Sequence, residues 1–231
     1  MRRLAFLLIF GLGGAAILVS LGVWQVQRLA WKQALLSQID TQIAAPPIPL
    51  SDALTPEFRR YAPVTITGKF DQGHIRMLAS RKSIGPVYRI IRPFVVDGQG
   101  TILVDTGWQF EAAAVLAAPT TRLTLTGNLD APNEADGFTP APDTVSNIWF
   151  ARDVPAMAQA LGTDPVLVVL RDAPETVSES EWAVTPWPVD SAGISNDHLQ
   201  YAITWFSLAA IWVAMSAFFV LRPYRNSARK D

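Results

Sequence analysis

Two long stretches without a charged residue stand near the two ends of this 231-residue chain. The first, LAFLLIFGLGGAAILVSLGV, covers residues 4–23, and the second, YAITWFSLAAIWVAMSAFFVL, covers residues 201–221. A helix rises about 1.5 Å per residue, so each stretch is about 30 Å long as a helix, which matches the hydrocarbon core of a bilayer. The sequence therefore predicts two transmembrane helices, one at each end, with a large domain between them.

A cleaved signal peptide is the alternative for the first stretch, because Arg2 and Arg3 precede it. The stretch is longer than the usual apolar core of a signal peptide, and no small-x-small cleavage pattern lies between its end and WQVQRLAWK. We interpret it as an uncleaved anchor.

Charge predicts how the chain is oriented. Outside residues 24–200 the only acid is Asp231, and the basic residues there are Arg2, Arg3, Arg222, Arg225, Arg229 and Lys230. The middle is net acidic. Because short cytoplasmic flanks are enriched in Lys and Arg, we expect residues 1–3 and 222–231 in the cytoplasm and residues 24–200 outside it. The short amino-terminal flank favours a bacterial inner membrane with the domain in the periplasm.

Composition excludes several other classes of site. The sequence has no basic patch of the kind that would indicate nucleic acid as a partner. The chain has no cysteine, so disulfides, thiolate nucleophiles and Cys-based metal sites are excluded.

The exported domain reads mainly as β-strands. The runs bounded by Gly, Pro and Asp are PVTITGKF, HIRMLAS, VYRIIRPFVV, TILVDTGW, RLTLTGNL and PVLVVL. One helix, VPAMAQAL, follows Asp153 as a predicted N-cap and ends before Gly162. Before the strands, the first membrane helix is expected to continue until AAPPIPL, which reads as an extended tether. The fold class is α+β, with two terminal transmembrane helices flanking a mainly antiparallel sheet or partly open barrel.

A short pattern occurs twice in this domain, as VTITGKFD at 64–71 and LTLTGNLD at 123–130. We interpret both copies as strand ends that turn at Gly68 and Gly127. An ancestral duplication is the alternative.

Aromatic, cationic and imidazole side chains are expected at the membrane surface where the first apolar run ends and the second begins. Trp24, Arg28 and Trp31 share one helical face, and His198, Tyr201 and Trp205 begin the second helix. One account is an aromatic belt with snorkelling polar neighbours. The other is a haem site, because imidazole is an axial ligand for haem iron, aromatic rings pack on a porphyrin, and an arginine pairs with a propionate. Both accounts stay open at this point.

Other features near the two runs have structural readings. Asn196 or Asp197 can cap the second helix, and Gly11, Gly13 and Gly14 can form a small-residue packing face. His74 reads as a surface strand residue, although a second iron ligand would have to come from it, from another chain or from nowhere. We predict no catalytic residue and no enzymatic activity, and a hydrolase using either histidine is the enzymatic alternative.

Two motifs resemble the paired signatures of the surfeit-locus cytochrome c oxidase assembly family. They are LGVWQVQRLAWK at the exit of the first run and HLQYAITWF at the entry of the second. The likeness extends to YAPVTITGKFD, GPVYRIIRPF and ILVDTGW, and it covers nearly the whole chain. Where the family commonly has an arginine before Gly-Trp, this chain has Thr106, so a contact made by that arginine is in doubt here.

The resemblance implies a non-catalytic assembly factor for haem-copper cytochrome c oxidase. It implies that the protein holds haem a for insertion into the catalytic subunit, with His198 as iron ligand. We assign Tyr201, Trp205, Trp24 and Arg28 to the same site as cofactor-binding residues. The implied partners are the catalytic subunit, membrane lipid and, as a further candidate, haem a synthase. The alternative is a cofactor-free membrane scaffold that stabilises an immature oxidase subunit by protein contacts.

Overall fold

The computed structural model describes residues 2–54 and 58–227. Arg229 and Lys230, which contribute to the predicted charge of the carboxyl-terminal tail, lie outside these ranges, as do Met1 and Asp231. The chain divides into two compact units. Residues up to Gln38 and from Ser191 onward form the helical unit, and Ile39–Asp190 form the β unit.

The helical unit is built from the two longest helices, α1 (Arg2–Ala44) and α5 (His198–Ser227). Within them, Leu8–Ala44 and His198–Leu221 are long and apolar enough to cross a membrane. Both predicted apolar runs lie in these helices, and α1 continues well past the first run, as predicted. The structure is therefore compatible with a two-pass membrane protein, while the membrane boundaries at 4–23 and 201–221 stay predictions.

The β unit contains eight strands and three short helices among its described residues. In chain order they are β1 (Ile48–Pro49), α2 (Leu50–Leu54), β2 (Pro63–Phe70), β3 (Ile75–Arg81), β4 (Gly85–Val96), β5 (Gly100–Phe110), β6 (Leu123–Asp130), β7 (Ile148–Trp149), α3 (Val154–Leu161), β8 (Leu167–Leu170) and α4 (Glu179–Trp182). Each predicted strand run is found, with small differences at the ends. Helices α2 and α4 were not predicted.

The sheet curls into a barrel. Its strand order is β1-β2-β6-β8-β5-β4-β3-β7, and an additional pairing of β2 with β4 joins the sheet to itself. Strands β2, β6, β8, β5 and β4 thus form a closed ring, with β1, β3 and β7 outside it. Most pairings are antiparallel, while β1–β2, β3–β7 and β5–β8 are parallel. The prediction of a mainly antiparallel, barrel-like α+β domain is confirmed.

Two cores lie on opposite faces of the sheet, and strand β8 serves both. Val168 and Leu170 belong to the core that also holds Phe94, whereas Leu167 and Val169 pack with Met157 of α3. Because both faces of β8 are covered, its sequence is apolar without alternation. Helix α3 has the predicted caps: the Asp153 side chain accepts from the Ala156 N–H, and Gly162 adopts a left-handed conformation at φ 67°.

The prediction that AAPPIPL is an extended tether is wrong for the second half of this segment. Ile48 and Pro49 form β1 and pair in parallel with β2, and Leu50, which begins α2, is buried in the first core. The prolines do end α1, as expected from their missing N–H donors. The apolar residues between and after them explain why the segment docks on the sheet instead of staying free.

The interpretation of Gly68 and Gly127 as turn residues is also wrong. Both lie inside strands, in β2 and β6, and the two repeated patterns pair antiparallel with each other. A Cβ on Gly68 would lie 1.9 Å from the Val95 carbonyl oxygen, and one on Gly127 would lie 2.5 Å from that of Val169. These glycines are required because a third strand approaches the backbone there.

Thr106, which stands where an arginine is common in the resembling family, is an interior residue of β5. It is 1% exposed, and its hydroxyl donates to the Ile90 carbonyl at 2.8 Å. The neighbouring Asp105 is fully buried and accepts from the Arg89 guanidinium at 2.6 Å. In this chain position 106 therefore supports the β4–β5 pairing and offers no cation to a ligand.

Candidate functional site

Helices α1 and α5 pack against each other in antiparallel fashion along a narrow seam. From His198 to Ser216, the half-buried and buried side chains of α5 recur at alternating steps of four and three residues. They are His198, Ala202, Trp205, Ala209, Trp212 and Ser216. This is the spacing of a coiled-coil contact line. Facing pairs run in opposite directions along the two helices, from Gln25 with His198 to Gly11 with Ser216.

Small residues of α1 let aromatic rings of α5 approach its backbone. A Cβ on Gly14 would lie 2.4 Å from the Trp212 indole nitrogen, which donates to the Gly11 carbonyl at 3.0 Å. A Cβ on Gly22 would lie 2.7 Å from the Phe206 ring. Gly11 and Gly14 therefore belong to the predicted packing face. Gly13 does not contact α5, because a Cβ there meets nothing within 4 Å, and packing of this face on another protein stays a prediction.

His198 is the first residue of α5 and lies at one end of the seam. Its ring nitrogen Nδ1 lies 2.8 Å from the side-chain oxygen Oε1 of Gln25 on α1. Gln25 is only 8% exposed, so this is a contact in the packed interior of the helix pair. An amide oxygen accepts and does not donate, so with the Gln25 oxygen facing Nδ1 this contact corresponds to the tautomer that carries the proton on Nδ1 and the lone pair on Nε2.

Of the two predicted cap residues, Asn196 and Asp197, the structure places Asp197 at the N-cap position. The Asp197 carbonyl accepts from the Tyr201 N–H at 3.1 Å. The Asn196 side chain does not cap the helix, because its Oδ1 atom is buried with no hydrogen-bond partner among the described residues. Capping therefore does not explain why a histidine follows Asp197.

The other predicted site residues divide between the seam and the outer surface. Trp205 lies on the seam, two turns from His198, and is half-buried. Tyr201 is 55% exposed and Trp24 is 53% exposed, so both rings lie outside the seam. The guanidinium of Arg28 lies 3.9 Å from the ring centroid of Trp31 on the same helix, as a cation–π pair.

Trp24 and Arg28 lie at the depth of His198, since they flank Gln25 within one turn of α1. The binding roles assigned to His198, Tyr201, Trp205, Trp24 and Arg28 stay predictions, because proximity alone does not test them. Gln25 is the residue that the sequence reasoning missed. The signal was present: Gly11, Gly22 and Gln25 continue one helical stripe, and the last member of that stripe is polar.

His74 lies in the β unit immediately before β3 and is half-buried rather than on the surface. Burial lowers its pKa, and the positive charges of Arg92 and Arg76 lower that pKa further. Burial also lowers the pKa of Arg92 to about 10. The charged groups that shift the pKa of His74 are arginines, which cannot orient an imidazole as a carboxylate does, and this disfavours His74 as a general base.

The described residues contain no group of three or more His, Asp or Glu side chains that could hold a metal ion. A metal bound at His198 would therefore need its other ligands from elsewhere. A porphyrin supplies four nitrogen ligands to iron, so one imidazole from the protein is enough to serve as an axial ligand.

Comparison with known proteins identifies relatives over most of the chain. The sequence model of the SURF1 family matches residues 12–210. A SURF1-like protein of Rickettsia bellii (strain RML369-C) is 30% identical over 225 residues, which cover 91% of this chain and 87% of that protein. Surfeit locus protein 1 of Rattus norvegicus is 29% identical over 219 residues, covering 82% of this chain and 68% of the relative. Surfeit locus protein 1 of Homo sapiens is 28% identical over 219 residues, with 82% and 69% covered.

Proposed function

The chain belongs to the SURF1 family, and on that premise we propose that it is a non-catalytic assembly factor for haem-copper cytochrome c oxidase. It holds haem a as cargo at the outer end of its two membrane helices, for insertion into the catalytic subunit. The observation that carries the proposal is the contact between Gln25 and His198. It leaves one imidazole nitrogen with a free lone pair at the end of an apolar helix pair.

The surroundings of His198 support a flat, amphiphilic cargo. Tyr201 and Trp24 expose aromatic rings near it, and Trp205 lies on the seam two turns further along α5. Arg28 supplies a cation at the same depth, which suits the carboxylate of a propionate. A haem that partitions into lipid reaches such a site from the bilayer without crossing water.

The topology that we propose follows the charges of the flanks. Both chain ends are cytoplasmic, and the β unit, with the outer ends of α1 and α5, lies in the periplasm of a bacterium. Reporter fusions after Ser227 and within the exposed 131–147 loop distinguish this arrangement from its inverse. Activity of a cytoplasmic reporter at the loop would contradict it.

The decisive experiment is an absorption spectrum of the detergent-purified protein from cells that make haem a. We expect a haem spectrum in the unaltered protein and in a His74→Ala variant, which removes the other histidine. The His198→Ala variant is expected to lose at least 90% of bound haem, since it lacks the iron ligand (about tenfold or more in affinity). An unchanged spectrum in His198→Ala would remove this residue from the role.

A second candidate function is a cofactor-free scaffold for an immature oxidase subunit. It is favoured by Phe138 and Val145, which are 95% and 96% exposed in the segment between β6 and β7. Burial of these two side chains against a partner would remove apolar surface from water, which favours association. Copurification with the catalytic subunit from a strain that cannot make haem a, reduced in a Phe138→Ser/Val145→Ser variant, would support the scaffold. Haem a synthase is tested as a second partner in the same preparations.

The hydrolase alternative receives no support from the two histidines. The partner of the His198 ring is an amide and not a hydroxyl nucleophile, and the charged neighbours of His74 are arginines. A triad needs a nucleophile within hydrogen-bond reach of the base and a group that orients the base.

A further inference from the structure

Gln25 is the polar side chain of α1 that meets the ring of His198. The two residues are 173 positions apart in sequence, and their Oε1 and Nδ1 atoms lie 2.8 Å apart. Gln25 is more than nine-tenths buried, while Gln27, two residues further along the same helix, is exposed. The neighbouring Gly22 lets α5 approach closely, so the amide is held where the helices are packed.

We propose that Gln25 is a positioning residue that fixes His198 in the tautomer with the proton on Nδ1 and directs Nε2 away from the seam for iron. This inference rests on the proposed function, because it assumes that His198 is the ligand. Gln25 itself touches no iron. It acts through the imidazole, in the way that outer partners of metal-bound histidines set ring orientation and the identity of the ligating nitrogen.

The chemistry of an amide suits this position. A carboxylate at position 25 would carry a charge into a helix pair whose described seam residues include no cation, and such a charge is costly in a membrane. A hydrocarbon would leave Nδ1 without a partner and free the ring to rotate. The neutral amide accepts the Nδ1–H bond and adds no charge, so it orients the ring at low cost.

The contact with Gln25 also means that the orientation of His198, the proposed iron ligand, depends on both helices. His198 starts α5, so its ring has few neighbours on its own helix toward the amino-terminal side. The constraint on the ring comes from α1. The imidazole is thus ready to bind iron only when α1 and α5 are paired in the register that aligns Gln25 with His198.

The first test uses the full chain without haem. Because the chain has only two histidines, a His74→Ala background leaves His198 as the only imidazole. Its tautomer is measured from the ¹⁵N shifts of ¹⁵N-histidine-labelled protein in detergent, at about pH 8.5, where an ordinary imidazole is neutral. We expect the Nδ1–H tautomer, and we expect Gln25→Leu to lose it while Gln27→Leu keeps it. An Nε2–H tautomer in the parent protein would overturn the proposal, whatever the variants do.

The second test measures haem affinity of the same proteins by titration. We expect Gln25→Leu to bind about 10- to 100-fold more weakly, as for other outer partners of metal ligands. Gln27→Leu is expected to bind as the parent does. Unchanged affinity in Gln25→Leu would overturn the positioning role even if the tautomer changed.

The two tests separate this inference from the proposed function. If the parent protein shows the Nδ1–H tautomer and its dependence on Gln25 but binds no haem, the proposed function fails, and with it the role of Gln25 toward iron. If haem binds through His198 and Gln25→Leu affects neither tautomer nor affinity, the proposed function stands and the positioning role falls.

Discussion

The helical unit and the β unit both use glycine to bring parts of the chain closer than a side chain permits, but they admit different groups. In α1, the space at Gly14 is filled by the Trp212 indole and the space at Gly22 by the Phe206 ring. In the β unit, the space at Gly68 is filled by a backbone carbonyl of the neighbouring strand. A ring can move when a methyl group is added, whereas a strand in a closed barrel cannot. The helical seam is therefore the more adaptable of the two interiors.

The polar contacts inside the two units also differ: one is charged and the other is neutral. The β unit buries an ion pair between Arg89 and Asp105, while the helical seam joins the buried neutral amide of Gln25 to the half-buried imidazole of His198. An ion pair is costly to break because each charge depends on the other. The neutral pair holds a ring without charge, which leaves that ring available to a ligand. The buried ion pair is therefore suited to stabilising the fold, and the neutral pair is suited to binding a ligand.

The largest expected effect is the loss of the buried ion pair. Asp105→Ala leaves the Arg89 guanidinium buried without its carboxylate, and we expect it to lower the free energy of unfolding of the β unit by about 3–5 kcal/mol. The measurement is thermal or urea unfolding in detergent, followed by the strand signal in circular dichroism. Asp97→Ala is the matched control, since Asp97 pairs with Arg122 at an exposed site, and we expect a loss below about 1 kcal/mol. Equal losses would mean that burial of the pair does not matter.

The next effect compares the two kinds of glycine. Gly68→Ala drives a methyl group into the Val95 carbonyl, and we expect a loss of about 2–3 kcal/mol in unfolding free energy. Gly14→Ala displaces the Trp212 ring but gains about 1 kcal/mol of helix propensity, so its net effect is expected to stay within about 1 kcal/mol of zero. Gly13→Ala, which meets no neighbour, serves as control and is expected to stabilise. A larger loss from Gly14→Ala than from Gly68→Ala would reverse the comparison of the two interiors.

A smaller difference in stability is expected between substitutions just before the first residues of two helices, α3 and α5. Asp153→Ala removes the side-chain acceptor from the Ala156 N–H, and we expect a loss of about 1 kcal/mol, as for other N-caps. Asn196→Ala removes a buried oxygen with no partner, so we expect no loss or a slight gain in stability. Melting temperatures of the two variants decide the matter. A loss from Asn196→Ala equal to that from Asp153→Ala would show that Asn196 caps α5 after all.

The smallest effect is on acid stability. Burial alone would raise the pKa of Glu134, but the hydrogen bonds and positive charge of Arg152 outweigh it and lower that pKa. A carboxylate whose pKa is lowered by folding stabilises the fold above its unfolded pKa, and this contribution is lost as pH falls through the lower folded value. We expect Glu134→Gln to be less stable than the parent at pH 7 by less than about 1 kcal/mol. The gap is expected to close below about pH 4, where glutamate is protonated in the unfolded chain. A gap independent of pH would contradict this.

The elements that could be predicted from the sequence are those determined by residues close to one another along the chain. The strands and α3 follow from alternation, β-branched residues and caps close in sequence, such as Asp153 and Gly162. The sequence did not predict the partner of His198, because which face of α1 meets α5 depends on the rotation of both helices. It misread Gly68 for a related reason. A glycine at a turn and a glycine beneath a crossing strand look alike until the other strand is known.

The mutual pairing of the two repeated patterns also affects how the barrel is made. Thr67 and Thr124 join their hydroxyls at 3.1 Å although they are 57 positions apart, so β2 is synthesised long before its partner exists. Closure of such a distant contact is slow, and an unpaired strand edge remains open in the meantime. Because β6 is the native partner of β2, an unpaired β2 also fits the β6 of another copy, so exchange of strands between copies competes with closure of the barrel.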